Sequence, residues 1–249
     1  MKLEDNTQVI VLASPERCIN YKWFENADKI DNQLQLLTSE YVGSSEFPCQ
    51  IDKSNGLKEG MILIRNPFNA THFVNVTDLE DQTLKYKLNA MNDIGLRLGA
   101  KSIEIYSKVE NSEQRDVDVN VDGNFKVAKG KVDVKVTQDR YSSDEYKIIS
   151  KNPETIFTEE SYREAIQKAN ESGLINEPRI NSLLQNRNPK NPFFTNGKFE
   201  VQASALEEAN KKLDIAVSAS YLVKFNVDIN VAVACVSRNK IVLNTIFEF

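Results

Sequence analysis

Residues 218–235 read SASYLVKFNVDINVAVAC. Ala219, Tyr221, Val223, Phe225, Val227, Ile229, Val231, Val233 and Cys235 occupy the odd positions, and Ser220, Lys224, Asn226, Asp228 and Asn230 the even ones. Successive side chains of a strand point to opposite faces, so this alternation predicts a long strand with one buried and one wet face. The end of the chain, KIVLNTIFEF (240–249), repeats the pattern. A turn over Ser237-Arg238-Asn239 pairs Cys235 with Ile241, Val233 with Leu243 and Ile229 with Phe247. All apolar residues then share a face, which predicts a C-terminal hairpin.

The same parity test applies upstream. Ile103, Ile105 and Val109 are odd, as are Val117, Val119, Val121, Phe125 and Val127, whereas Val132, Val134 and Val136 are even. A two-residue turn at Lys129-Gly130 absorbs the switch and keeps the apolar residues together. A three-residue turn over Asp122 to Asn124 also preserves the faces.

Helices are expected between the strands. Thr77 and Glu80 suggest a capping box, Leu84, Leu88, Met91 and Leu98 line one face, and Gly99 ends the helix. Thr158, Glu159, Glu160 and Gly173 bracket another over 158–172, a short one is expected at 178–185, and Ser204 with Glu207 suggests a two-turn helix to about residue 212. Near the N-terminus QVIVLA (8–13), MILIR (61–65) and HFVNV (72–76) suit short strands. Ala27, Ile30, Leu34, Leu37 and Tyr41 recur at spacings of three and four, which predicts a helix ending at Gly43.

The fold class expected is α+β, with long antiparallel amphipathic hairpins and meanders and helices packed on one face. Residues 1–249 are expected to form a single compact unit. Halves at 1–150 and 151–249, joined through a shared sheet, are an alternative division. The stretch NRNPKNPFFTNGK (186–198) is expected to be a mobile loop.

Composition narrows the function classes. Apolar residues make up 41% and charged residues 27%, which suits a packed domain rather than a disordered chain. A net charge of −5 without a lysine or arginine run disfavours nucleic acid as the main partner. Three scattered cysteines, Cys18, Cys49 and Cys235, fit reduced thiols in the cytoplasm better than a disulfide framework. The start MKLEDN lacks the basic and apolar pattern of a signal peptide, and no apolar run reaches the ~18 residues of a membrane helix.

Catalytic signatures are sparse. The single histidine, His72, excludes a zinc motif that needs two, and P-loop, GxGxxG and GxSxG patterns are absent. A pairing of His72 with Cys18 or Cys49 stays open, but a hydrogen-bonded structural histidine in an apolar strand is the expectation. Asp118, Asn120, Asp122 and Gly123 match the first half of a calcium loop. The twelfth position, which calls for a bidentate Glu, is Lys129. No cofactor is expected.

Asp133-Val-Lys135 forms a (D/E)xK triplet, and helix 78–98, three strands and helix 158–172 follow an order similar to the αβββαβ core of PD-(D/E)xK nucleases. That similarity implies a magnesium site using Asp122 and Asp133, with Lys135 positioning the attacking water. The triplet occurs twice in this chain, at 133–135 and 145–147, and the PD dipeptide is missing. Amphipathic segments of about ten residues at 117–137 and 217–248 also suit the inserting hairpins of a pore-forming protein. Against both stands a reading that needs only the alternation itself. On it the chain is a non-enzymatic interaction or assembly protein, acting through sheet surfaces or edges on a protein partner or on itself. Ile241, Leu243, Phe247 and Phe249, on a C-terminal strand carrying little charge, are its expected contact residues.

Overall fold

The computed structural model describes residues 2–23, 33–51, 56–114, 147–151, 157–191, 196–214 and 237–249. The protein is α+β, and the chain divides into two compact units. One comprises Met1–Asp81 with Glu208–Val236, the other Gln82–Glu207 with Ser237–Phe249.

The first unit holds β1 (Val9–Leu12), α1 (Pro15–Trp23), β2 (Leu34–Leu37), α2 (Ser39–Gly43), β3 (Gln50–Ile51), β4 (Ile62–Arg65) and β5 (His72–Asn75). Its sheet runs β2-β1-β4-β5-β3, with β1–β2 and β3–β5 parallel and the other pairs antiparallel. All four residues of β1 are buried, which explains why that segment is an unbroken apolar run. Ile10, Leu12, Leu37, Leu63 and Phe73 cluster with Leu3, Val42 and Phe47 on one face.

The helix expected over 27–41 is replaced by strand β2 and the short α2. Leu34, Leu36 and Leu37 are buried against β1, with Val9 opposite Leu34 and Leu12 opposite Leu37. Leu34 and Leu36 share one face of β2 and Leu37 lies on the other, so Leu34 and Leu37 fall by chance at helical spacing. Thr38 has extended backbone, and its hydroxyl accepts from Tyr41 N at 3.3 Å, so helix begins only after it. Ala27 and Ile30 lie outside the described residues.

The second unit holds most of α3 (Leu79–Arg97), then β6 (Ser102–Gln114), β7 (Lys147–Lys151), α4 (Glu159–Glu171), a 3-10 turn at Leu174–Asn176, α5 (Pro178–Asn186), β8 (Lys198–Ser204) and β9 (Ser237–Glu248). Residues 207–214 are helical. The sheet is fully antiparallel in the order β7-β6-β9-β8. Ile103, Ile105, Val201, Ala203, Ile241, Leu243 and Phe247 are buried on its inner face. Helix α3 closes over them at Gly95, where a Cβ would stand 2.5 Å from the Phe247 ring and 2.6 Å from Ile103 Cδ1. Only a residue without a side chain permits that approach.

Capping is partly as expected. Thr158 and Ser161 form a reciprocal capping box at α4. At α3 the Thr77 hydroxyl bonds the Asp78 carboxylate, and the helix starts one residue later than the Thr77–Glu80 box requires. Ser204 is the last residue of β8, and its N–H donates to Glu177 Oε1 at 2.8 Å rather than opening a helix.

The C-terminal hairpin is corrected. Leu243 lies opposite Ser107 of β6 and Ala203 of β8, and Phe247 lies opposite Ile103 and Phe199. A strand has two edges, and over 242–248 both edges of β9 are taken by β6 and β8 in place of the hairpin partner expected from parity. Matching parity is satisfied by any antiparallel neighbour of the right phase, and the alternation therefore does not select the partner. Residues 215–236 lie outside the described residues.

Candidate interaction face

The outer face of the antiparallel sheet is built from the residues whose inward neighbours form the core. One row across it reads Ile149, Glu104, Ile246 and Glu200, and the next is Lys147, Tyr106, Asn244 and Gln202. Tyr106 donates its hydroxyl to the Glu104 carboxylate, and that bond, with lesser help from desolvation, holds the phenol above its ordinary range. A pocket of about 300 Å³ opens among Tyr106, Arg179, Glu200, Gln202 and Asn244. These groups are polar donors and acceptors, which suits the pocket to contact with polar groups.

The two edges of this sheet differ. Edge strand β8 carries Lys198 and Glu200, ion-paired at 3.3 Å, and charge of this kind discourages pairing with another chain. Edge strand β7 is anchored on its inner face by Ser150, whose hydroxyl donates to Asn92 Oδ1 at 2.7 Å. Its central residue on the outer face, Ile149, is 50% exposed. Among the described residues β7 pairs on one side only, which leaves this large aliphatic side chain exposed beside a strand edge.

The expected contact residues are elsewhere. Ile241, Leu243, Phe247 and Phe249 are buried, and β9 is paired on both sides over 242–248, so that stretch offers no free edge for strand addition. Phe249 instead stacks on Phe247 and lies over the Arg187 guanidinium, 4.1 Å from carbon to ring centroid. Arg187 is 3% exposed. Its Nε and Nη2 donate to the Leu98 carbonyl at 3.2 and 2.9 Å, its Nη1 reaches Asn196 Oδ1, and Phe157 lies against it at 5.0 Å. Burial lowers its pKa to about 10. A cation on the last carbonyls of α3 also faces the negative end of that helix, which gives this residue a structural role. Lys87, equally buried, donates to the Ser204 carbonyl at 2.8 Å. Neither cation announces itself in the sequence, because the carbonyls they serve are far away along the chain.

The other expected sites are resolved unevenly. Asp118, Asn120, Asp122, Asp133 and Lys135 lie outside the described residues, as does the meander of 117–137. Among the described residues no group of three or more His, Cys, Asp or Glu side chains could hold a metal ion, and no helix is long and apolar enough to cross a membrane. Among the described residues His72 makes no hydrogen bond to a thiol: the Cys18 sulfur lies 3.9 Å from the Ala13 carbonyl, and Cys49 is partly buried beside Arg65. Nor does its ring find the structural hydrogen bond expected of it among the described residues. Of the span 217–248, the described part is interior strand β9.

Comparison with known proteins yields no matching family model, no matching curated protein and no matching solved structure.

Proposed function

We propose that this chain is a non-enzymatic interaction or assembly protein of the cell interior, working through the outer face and β7 edge of its antiparallel sheet. The observation that carries the reading is Ile149, half exposed on an edge strand, with Glu104 beside it in its row and Ile246 beyond. An added strand would satisfy the open backbone groups of β7 and cover this side chain, the two sources of affinity in strand addition. The polar row of Tyr106, Asn244 and Gln202 would then set register and specificity at the rim of the contact.

Static light scattering over a concentration series, with capture from the parent lysate alongside, tests the reading. Association that Ile149→Lys weakens while the variant melts like the parent supports it. A strict monomer that retrieves no partner, or association indifferent to Ile149→Lys, overturns it.

A further inference from the structure

A second feature belongs to the first unit, at the end of the five-stranded sheet where β4 runs out. Arg65 closes that strand and lies opposite Phe73 of β5, with its guanidinium carbon 4.9 Å from the ring centroid. Its Nε donates to the Thr7 carbonyl and its Nη1 to the Ala70 carbonyl, each at 2.6 Å. The remaining nitrogen, Nη2, is shielded from solvent and has no acceptor among the described residues. On the other side of β4, Arg65 N donates to the Gln8 carbonyl at 2.8 Å. The Gln8 side chain in turn accepts from Lys212 Nζ and donates to the Asn6 carbonyl at 3.2 Å.

Two cations are thereby fixed at one end of one sheet, and no carboxylate among the described residues is bonded to either. Burial and the charge of Arg65 both depress the Lys212 pKa, as expected of like charges held near each other away from water. Cys49 is the nearby titratable neighbour that feels Arg65. Partial burial, the larger influence, pushes its thiol up, so it supplies no countercharge at neutral pH.

We propose that Arg65 and Lys212 form a binding site for a compact dianion of the phosphate class. Two positive charges without a bonded carboxylate among the described residues match a doubly charged ligand. A carboxylate is commonly taken by both prongs of an arginine fork. Here backbone carbonyls are bonded to Nε and Nη1, which leaves Nη2 as the guanidinium nitrogen without an acceptor among the described residues, while the ammonium retains donors beyond the one given to Gln8. A tetrahedral anion taking one oxygen contact from each cation fits that set. Phe73 under the guanidinium and Gln8 on the ammonium hold both donors in place before the ligand arrives.

Calorimetric titration of the full chain with inorganic phosphate in neutral, low-salt buffer tests the proposal, with acetate as the comparison anion. The expected result is one saturable phosphate site and a weaker response to acetate. Charge-assisted contacts of this kind predict that Arg65→Gln and Lys212→Gln each weaken phosphate binding about tenfold or more. Because Arg65→Gln also removes bonds that hold the first unit together, the decisive variant is Lys212→Gln, with circular dichroism and melting matching the parent. No saturable phosphate binding by the parent chain overturns the proposal. So does an unchanged affinity in folded Lys212→Gln, or acetate bound as tightly as phosphate.

Discussion

Strands β9 and β7 belong to the same antiparallel sheet and both carry consecutive apolar residues, yet they play opposite parts. In β9, Ile241, Leu243 and Phe247 are buried, and the strand is paired on both sides along 242–248. In β7, pairing among the described residues is to β6 alone, and Ile149 is half exposed. Apolar character says that a strand has a face to cover. Position in the sheet decides whether the protein covers it or leaves it for something else.

The contrast can be broken most severely from the β9 side. Phe247→Ala removes a ring lodged against Gly95 of α3, and the lost burial with the cavity left behind should cost about 3–5 kcal/mol in a denaturant titration. Crowding the same contact from the helix, Gly95→Ala places a methyl group where no room exists, and about 1–3 kcal/mol of destabilisation is expected. A Gly95→Ala chain as stable as the parent would mean that α3 does not press on Phe247.

Smaller changes sharpen the comparison. Thr245, on the inner face of β9, keeps a buried hydroxyl without a hydrogen-bond partner. Thr245→Val preserves the shape and removes that unmet demand, so a gain of about 1 kcal/mol is expected from the midpoint of unfolding. At the other extreme, Ile149→Lys should shift stability by no more than about 0.5 kcal/mol while it weakens association. A large loss of stability in that variant would place Ile149 in the core rather than at a contact surface.

Much of the architecture was legible because it is local. α3, α4 and α5 follow from apolar spacing, a threonine cap and glycine stops, and the inner faces of β6 and β9 follow from parity. What escaped is long-range. Parity is shared by every antiparallel neighbour in phase, so the sequence could not choose β6 and β8 over 218–235 as partners of β9. The strand β2 hid behind leucines at helical spacing, though Gln33-Leu34-Gln35-Leu36 alternates and Thr38 is a cap signal inside the supposed helix. The candidate face escaped for a related reason: Ile149 in KIISK differs from a core isoleucine only in where its strand sits. Arg65 with Lys212 is harder still, since Gln8 joins residues from opposite ends of the chain.

Amide hydrogen exchange, followed residue by residue at low and high protein concentration, tests the contrast between β9 and β7 most directly. Pairing on both sides predicts that the amides of 242–248 exchange only through global opening, whatever the concentration. The N–H groups of β7 that face away from β6 should exchange quickly in dilute solution and become protected as the protein associates. Fast exchange through β9, or β7 amides equally protected at every concentration, would contradict the account.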